Sequence, residues 1–275
     1  MRLRQTRSLV LAAAVAVAVS ACATTTSPTG RTQVVGGVSQ QQLDQMGEQA
    51  FAEMKAQKAQ TTDARQRAYA ACVVNAIVRE LPPAWQQRYR WESAVFVDNS
   101  PNAFALPGGK VGLYTGIFTV ARNQDQLAGV ISHEIGHVLA NHHNERITRQ
   151  VGAQGALQVA GAILGSRYGQ GIGDAAMQGG SILAQTGFLL PGSRVQEAEA
   201  DVVGQQLMAR AGFDPRASVG LWENMIKASG GNRSPEWLST HPEPQARLAE
   251  MNQRATTLMP EYESARAAGK RPNCG

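Results

Sequence analysis

The stretch Ile131-Ser-His-Glu-Ile-Gly-His-Val-Leu-Ala-Asn-His-His143 decides how this chain is read. The chain has five histidines, and His133, His137, His142 and His143 all fall here. Leu127, Val130, Ile131, Val138 and Leu139 recur at helical intervals. Asn123-Gln-Asp-Gln126 ahead of them resembles a capping box. A helix is therefore expected over about 124–147. At 100° per residue, His137 lies about 40° from His133, His142 about 180° and His143 about 280°. His133 and His137 thus share a face. His142 and His143 are expected on the surface near the helix C-terminus, where positive charge is favourable.

Two imidazoles at i, i+4 can close on one divalent metal. Glu134, between them, completes an H-E-x-x-H pattern and is offset from the metal face. It is expected to hold a water there, take its proton and return it to a leaving amine. Gly136 leaves room for a close neighbour. A third ligand is required, and Gln196-Glu-Ala-Glu-Ala-Asp201 offers one. Glu197 and Asp201 are again i, i+4. Glu197 is assigned to the metal and Asp201 to the spare ring N–H of His133. Glu199, about 200° from Glu197, cannot share that role.

Working outward, Ser39 to Leu81 reads as helix, stopped by Pro82-Pro83. Trp91–Asp98, Ala103–Leu106 and Lys110–Tyr114 read as strands separated by turns. A short helix opens after Thr115. A helix is expected from about Val195 to Ala211, stopped by Gly212 and Pro215. More helices follow to Ala268, with a loop at 229–233. Gly152 to Gly192 holds eleven of the 28 glycines and two charges, Arg167 and Asp174. A close-packed helix face, a lid and an apolar hairpin leaning on a membrane are all open for it.

The N-terminus reads as a leader. Arg2, Arg4 and Arg7 precede an apolar run from Leu9 to Val19 that is too short to span a bilayer. Val19-Ser-Ala-Cys22 resembles a bacterial lipobox, which implies lipidation of Cys22. By analogy with lipoproteins, Ala23 after it favours the outer membrane. Residues 1–21 are expected to be removed, 22–38 to form a flexible tether, and 39–275 to form one domain. Without the three leader arginines, 23 basic residues face 21 acidic ones. No Lys/Arg block remains, which argues against nucleic acid. Cys72 and Cys274 are expected to bridge in an oxidising compartment; the alternative is two free buried thiols.

H-E-x-x-H followed some sixty residues later by E-x-x-x-D resembles the gluzincin peptidases. Asn102-Ala-Phe-Ala-Leu-Pro-Gly-Gly109, Tyr114-Thr-Gly116, Glu197-Ala-Glu-Ala-Asp201 with Gly204, and Thr240-His-Pro242 with Arg247 narrow the resemblance. Over about residues 40 to 250 the chain resembles metallopeptidase family forty-eight, the family of HtpX, Oma-type proteases and the CAAX prenyl endopeptidase. Within that family, the lipobox and the lack of an apolar run long enough for a membrane helix make it most similar to the periplasmic, LoiP-like lipoprotein branch.

The resemblance implies a mainly helical α+β zincin domain with a small sheet flanking the active-site helix. It implies one Zn²⁺ per chain and a periplasmic, lipid-anchored endopeptidase. Its substrates would be unfolded or misassembled envelope proteins. It places His241 near the metal, to stabilise a tetrahedral intermediate or to fill the open metal position at rest. A helix start with Pro242 at its first position is the plainer reading. Arg247 would orient a substrate carbonyl or make an ion pair. Asn102, Ala103 and Phe104 would form a strand beside which a peptide can add. A different class of function also stays open: a non-enzymatic chaperone or assembly lipoprotein whose structural zinc is closed by His241.

Overall fold

The computed structural model describes residues 23–152, 193–228, 241 and 244–275. The expected leader, Cys22, the Gly-rich stretch from 153 to 192 and the loop at 229–233 lie outside them. In chain order the described elements are β1 (Ala23–Thr26), β2 (Thr32–Val35), α1 (Gln40–Gln57), α2 (Ala64–Val78), α3 (Pro83–Arg88), β3 (Glu92–Phe96), β4 (Ala103–Leu106) and β5 (Lys110–Tyr114). Then come α4 (Ile117–Val120), α5 (Gln124–Leu139), α6 (142–152), α7 (Arg194–Ala211), α8 (Ala217–Ala228), α9 (Pro244–Thr257) and α10 (Met259–Ala267). The fold is mainly helical with small sheets. No described helix is long and apolar enough to cross a membrane. The chain divides into two compact units, one whose described parts are 23–40 and 143–152, the other carrying 41–142 and the described residues after 192.

In the first unit, the tether expected over 22–38 is a hairpin from Ala23 to Val35. Ala23 pairs with Val35 and Thr26 with Thr32. The Thr content that suggests a tether is also β-branched content, which favours strands. Ser27-Pro-Thr-Gly30 makes the turn: Gly30 takes φ +87°, and its N–H donates to Ser27 O at 3.0 Å. Next to the hairpin the Arg31 guanidinium forks onto Glu145, with both bonds at 2.8 Å. The Asn144 amide donates to Val38 O and accepts from Gly36 N.

In the second unit, β3, β5 and β4 form a sheet with β5 in the middle, parallel to β3 and antiparallel to β4. One face packs against the main core of Val74, Ile77, Val95, Leu113, Leu127, Ile131, Ile135, Leu207, Met208 and Trp222. The other carries a smaller cluster of Phe51, Phe96 and Tyr114, with Phe104 against it. Each fully buried Leu or Ile contributes about 1.5–3 kcal/mol relative to exposure. Cys72 and Cys274 are bridged, S–S 2.10 Å, across 202 residues of chain.

Two expected helices are interrupted. The one expected over 39–81 ends at Gln57 and restarts at Ala64. Between them Val97 N donates to Ala59 O and Thr61 N to Val95 O, so this segment runs beside β3. Asp63 caps the restart by accepting from Arg65 N and Gln66 N. The helix expected over about 124–147 also breaks. α5 ends at Leu139, Asn141 takes φ 56°, and α6 begins at His142. Asn is among the few side chains that tolerate the left-handed region.

Candidate metal centre

Every residue of α5 from Leu127 to Leu139 is buried, His133, Glu134 and His137 included. Buried polar groups are costly unless partnered, so three on one helix need an explanation. Asn123 caps α5 by accepting from Gln126 N at 2.9 Å. α7 begins at a capping box of Ser193 and Gln196 and ends at Gly212 in the left-handed region. The two helices meet backbone to backbone. A Cβ on Gly136 would lie 2.9 Å from Ala200 O, and one on Gly204 would lie 3.0 Å from His133 N.

That approach brings both motifs together. Among the described residues, His133, His137, Glu197 and His241 each offer a ligand atom, and these four atoms lie within 4.8 Å of one another. His133 Nε2 and His137 Nε2 are 3.1 Å apart. Glu197 Oε2 is 3.4 Å from the first, and Glu197 Oε1 is 3.5 Å from the second. A tetrahedron with bonds of about 2.0–2.1 Å puts neighbouring ligand atoms about 3.3–3.4 Å apart. Glu197 Oε1 is buried and has no hydrogen-bond partner among the described residues. An acceptor stranded beside two ring nitrogens is the signature of a cation site, and the donor set fits a divalent metal.

Asp201 and His142 stand behind the two histidines. His133 Nδ1 is 3.0 Å from Asp201 Oδ1. His137 Nδ1 is 2.8 Å from His142 Nδ1, and His142 Nε2 is 3.0 Å from Glu199 Oε2. His142 is 0% exposed, which corrects its expected place on the surface. The 180° offset assumes an unbroken helix; the turn at Asn141 swings the ring back onto His137. Glu199 does point away from Glu197, and that direction is where His142 sits. Sequence reasoning missed both residues. The available signal was Asn141, a residue suited to left-handed backbone at the end of a helical pattern.

Arg247 is buried, with all three guanidinium nitrogens engaged. Nε and Nη2 donate to the Asp201 carboxylate at 2.6 and 2.7 Å, and Nη1 donates to Glu197 Oε2 at 3.0 Å. It also lies over the Trp222 ring, 4.4 Å from its centroid. Of its two expected roles the geometry supports the ion pair, which takes one N–H from each of the three nitrogens. Burial would raise the Glu197 and Asp201 carboxyls; hydrogen bonding to His133 and the Arg247 charge outweigh it and hold both below the usual range. Burial would lower the His133 pKa, yet hydrogen bonds to Asp201 and Glu197 lift it to about 9. The site favours a cation at that nitrogen, proton or metal.

His241 Nε2 lies 3.3 Å from Glu134 Oε1, so the fifth histidine faces the carboxylate of H-E-x-x-H. β4 is an edge strand of its sheet, with Asn102 O accepting from Tyr114 N at 2.9 Å just ahead of it. Ala103 is buried. The far end of the Phe104 ring lies against Gly112, where a Cβ would be 2.0 Å from its Cζ. Its side chain is spent on packing, so what β4 offers outward is backbone.

Known proteins bear on this geometry. Residues 64–255 match peptidase family M48. The chain is 38% identical over 165 residues to the mitochondrial metalloendopeptidase OMA1 of Schizosaccharomyces pombe, covering 60% of this chain and 46% of that one. It is 36% identical over 165 residues to the beta-barrel assembly-enhancing protease of Escherichia coli, covering 58% of this chain and 33% of that one. The chain thus spans less than half the length of these relatives. The family match covers well over half of this chain, including both α5 and α7: the chain belongs to peptidase family M48.

Proposed function

We propose that this chain is a zinc-dependent endopeptidase of the bacterial cell envelope, anchored through lipidated Cys22 and acting on unfolded or misassembled envelope proteins. The observation that carries the catalytic reading is the stranded Glu197 Oε1 beside two histidine Nε2 atoms, with Glu134 one residue from His133. His133, His137 and Glu197 would hold one Zn²⁺. Bound there, zinc would supply a Lewis acid for the scissile carbonyl and would lower the pKa of a water to roughly 7. Glu134 would take the proton of the attacking water and pass it to the departing amine. Asp201 holds His133 with its bare Nε2 inward, and Arg247 keeps Asp201 and Glu197 ionised. The backbone edge of β4 takes an extended peptide with little demand on its side chains. Envelope substrates rest on the leader and lipobox pattern and on a relative named for β-barrel assembly.

The second reading is a non-enzymatic assembly lipoprotein with a structural zinc. One observation favours it: His241 completes a set of four ligand atoms, and structural zinc is usually closed by four. Degradation of an unfolded model protein separates the two, using the mature chain with Cys22 replaced and Glu134→Gln compared at equal zinc content. Loss of cleavage with zinc retained supports the peptidase. Equal cleavage in both sinks the mechanism. Cleavage in neither, and none after His241→Ala, favours the structural zinc.

A further inference from the structure

His142 and Glu199 belong to neither the ligand set nor the proton-transfer group, yet they are buried and joined in line to His137. The supports of the two histidine ligands differ. His133 reaches a carboxylate directly, its Nδ1 3.0 Å from Asp201. His137 reaches one only through a second imidazole, at 2.8 Å and then 3.0 Å.

The order of donors along this line follows from its far end. A carboxylate only accepts, so Glu199 takes the N–H of His142 Nε2. A neutral imidazole then has a bare Nδ1, and His142 accepts there. The remaining N–H of the 2.8 Å contact belongs to His137 Nδ1. That leaves His137 Nε2 bare, on the side that faces His133 Nε2 and Glu197 Oε1. Resting on the metal-binding reading above, we infer that His142 and Glu199 form a relay that fixes the tautomer and orientation of His137 for the metal. His142 is a positioning residue acting through His137, and Glu199 acts through His142.

Asn141 makes the relay possible. Its left-handed backbone, φ 56°, ends α5 two residues after His137 and returns the next ring to it. On a continued helix the two rings would lie about 140° apart on the helix wheel. The break in the helix is thus the feature that supplies a support for His137, as Asp201 supplies one for His133.

The test is zinc affinity, read by competition with a chelator of known affinity on the mature chain with Cys22 replaced. His142→Phe removes the acceptor and is expected to weaken zinc by about 10–100-fold, the usual effect of losing a partner of a ligand histidine. His142→Asn puts a carbonyl oxygen where Nδ1 sits and is expected to recover most of that loss. Glu199→Ala acts one step further away and should weaken zinc less than His142→Phe. Because the residues act in series, His142→Phe with Glu199→Ala should be no weaker than His142→Phe alone. The double variant also leaves no buried carboxylate stranded, so it serves if the single variant does not fold. Unchanged affinity in His142→Phe or in the double variant would overturn the relay. So would additive losses without recovery by Asn, the pattern of a merely structural role. Failure of the parent chain itself to bind zinc would instead overturn the metal reading.

Discussion

Gly204 lies directly against the backbone of His133: a Cβ at Gly204 would sit 3.0 Å from His133 N and 3.1 Å from its Cα. Gly136 makes the reciprocal approach to Ala200 O at 2.9 Å. Neither neighbour is a flexible side chain that can swing away. Gly204→Ala or Gly136→Ala must push α5 and α7 apart by a few tenths of an ångström. Each substitution is expected to cost about 1–3 kcal/mol, the usual range for overpacking. Denaturant unfolding of the metal-free variants would show it, and zinc affinity should fall with it, since the ligands are divided between the two helices.

Metal removal should lower stability more than it changes the fold. Without a metal a proton can sit between the Nε2 atoms of His133 and His137, 3.1 Å apart, but the buried Glu197 Oε1 keeps no hydrogen-bond partner among the described residues. Zinc at one hundred times its Kd should add about 2.7 kcal/mol. Melting curves with zinc and with chelator would register this as a higher Tm in zinc, with similar far-ultraviolet circular dichroism at low temperature.

Arg247→Met should be strongly destabilising. It leaves Asp201 and Glu197 buried with their shared cation removed, and breaking a buried pair from one side costs about 3–5 kcal/mol. The pH dependence has a definite sign. Both carboxyls are held below their usual range in the folded chain. Their contribution is present above the ordinary carboxylate pKa of about 4 and is lost as pH falls through the depressed values. The gap in unfolding free energy between metal-free parent and variant should therefore narrow on acidification. A gap that stays constant from neutral pH to pH 3 would contradict this account.

The Cys72–Cys274 bridge closes a separation of 202 residues. It also holds the chain end against α5, where Gln124 donates to Pro272 O and accepts from Cys274 N, both at 2.9 Å. Loops of this length give the largest entropic effect, and removing a native bridge costs roughly 2–5 kcal/mol. Cys72→Ser with Cys274→Ser should show that loss in urea. The parent chain should show the same loss when reductant is added and the double variant none.

Much of the site was legible in the sequence because its information is local. The i, i+4 spacing places His133 beside His137 and Glu197 beside Asp201 on any helix, whatever surrounds it. The caps at Asn123 and Ser193 and the stop at Gly212 are equally local, since each answers a backbone hydrogen-bonding demand within three or four residues. The strands around Val95, Ala105 and Leu113 follow from their alternation and turns.

Tertiary structure decided the rest. Where two helices meet depends on which small residues let their backbones touch, and the sequence does not say that Gly204 faces His133. The destination of Arg247 depends on a helix packed some fifty residues away in the chain. The place of His142 depends on one left-handed residue: Asn141 permits that backbone without requiring it, and the packing of α7, with Glu199 waiting, selects it. A wheel drawn on an unbroken helix puts His142 in water. The fold buries it against His137, because a buried ring with a partner at each nitrogen is stable where an unpartnered one would not be.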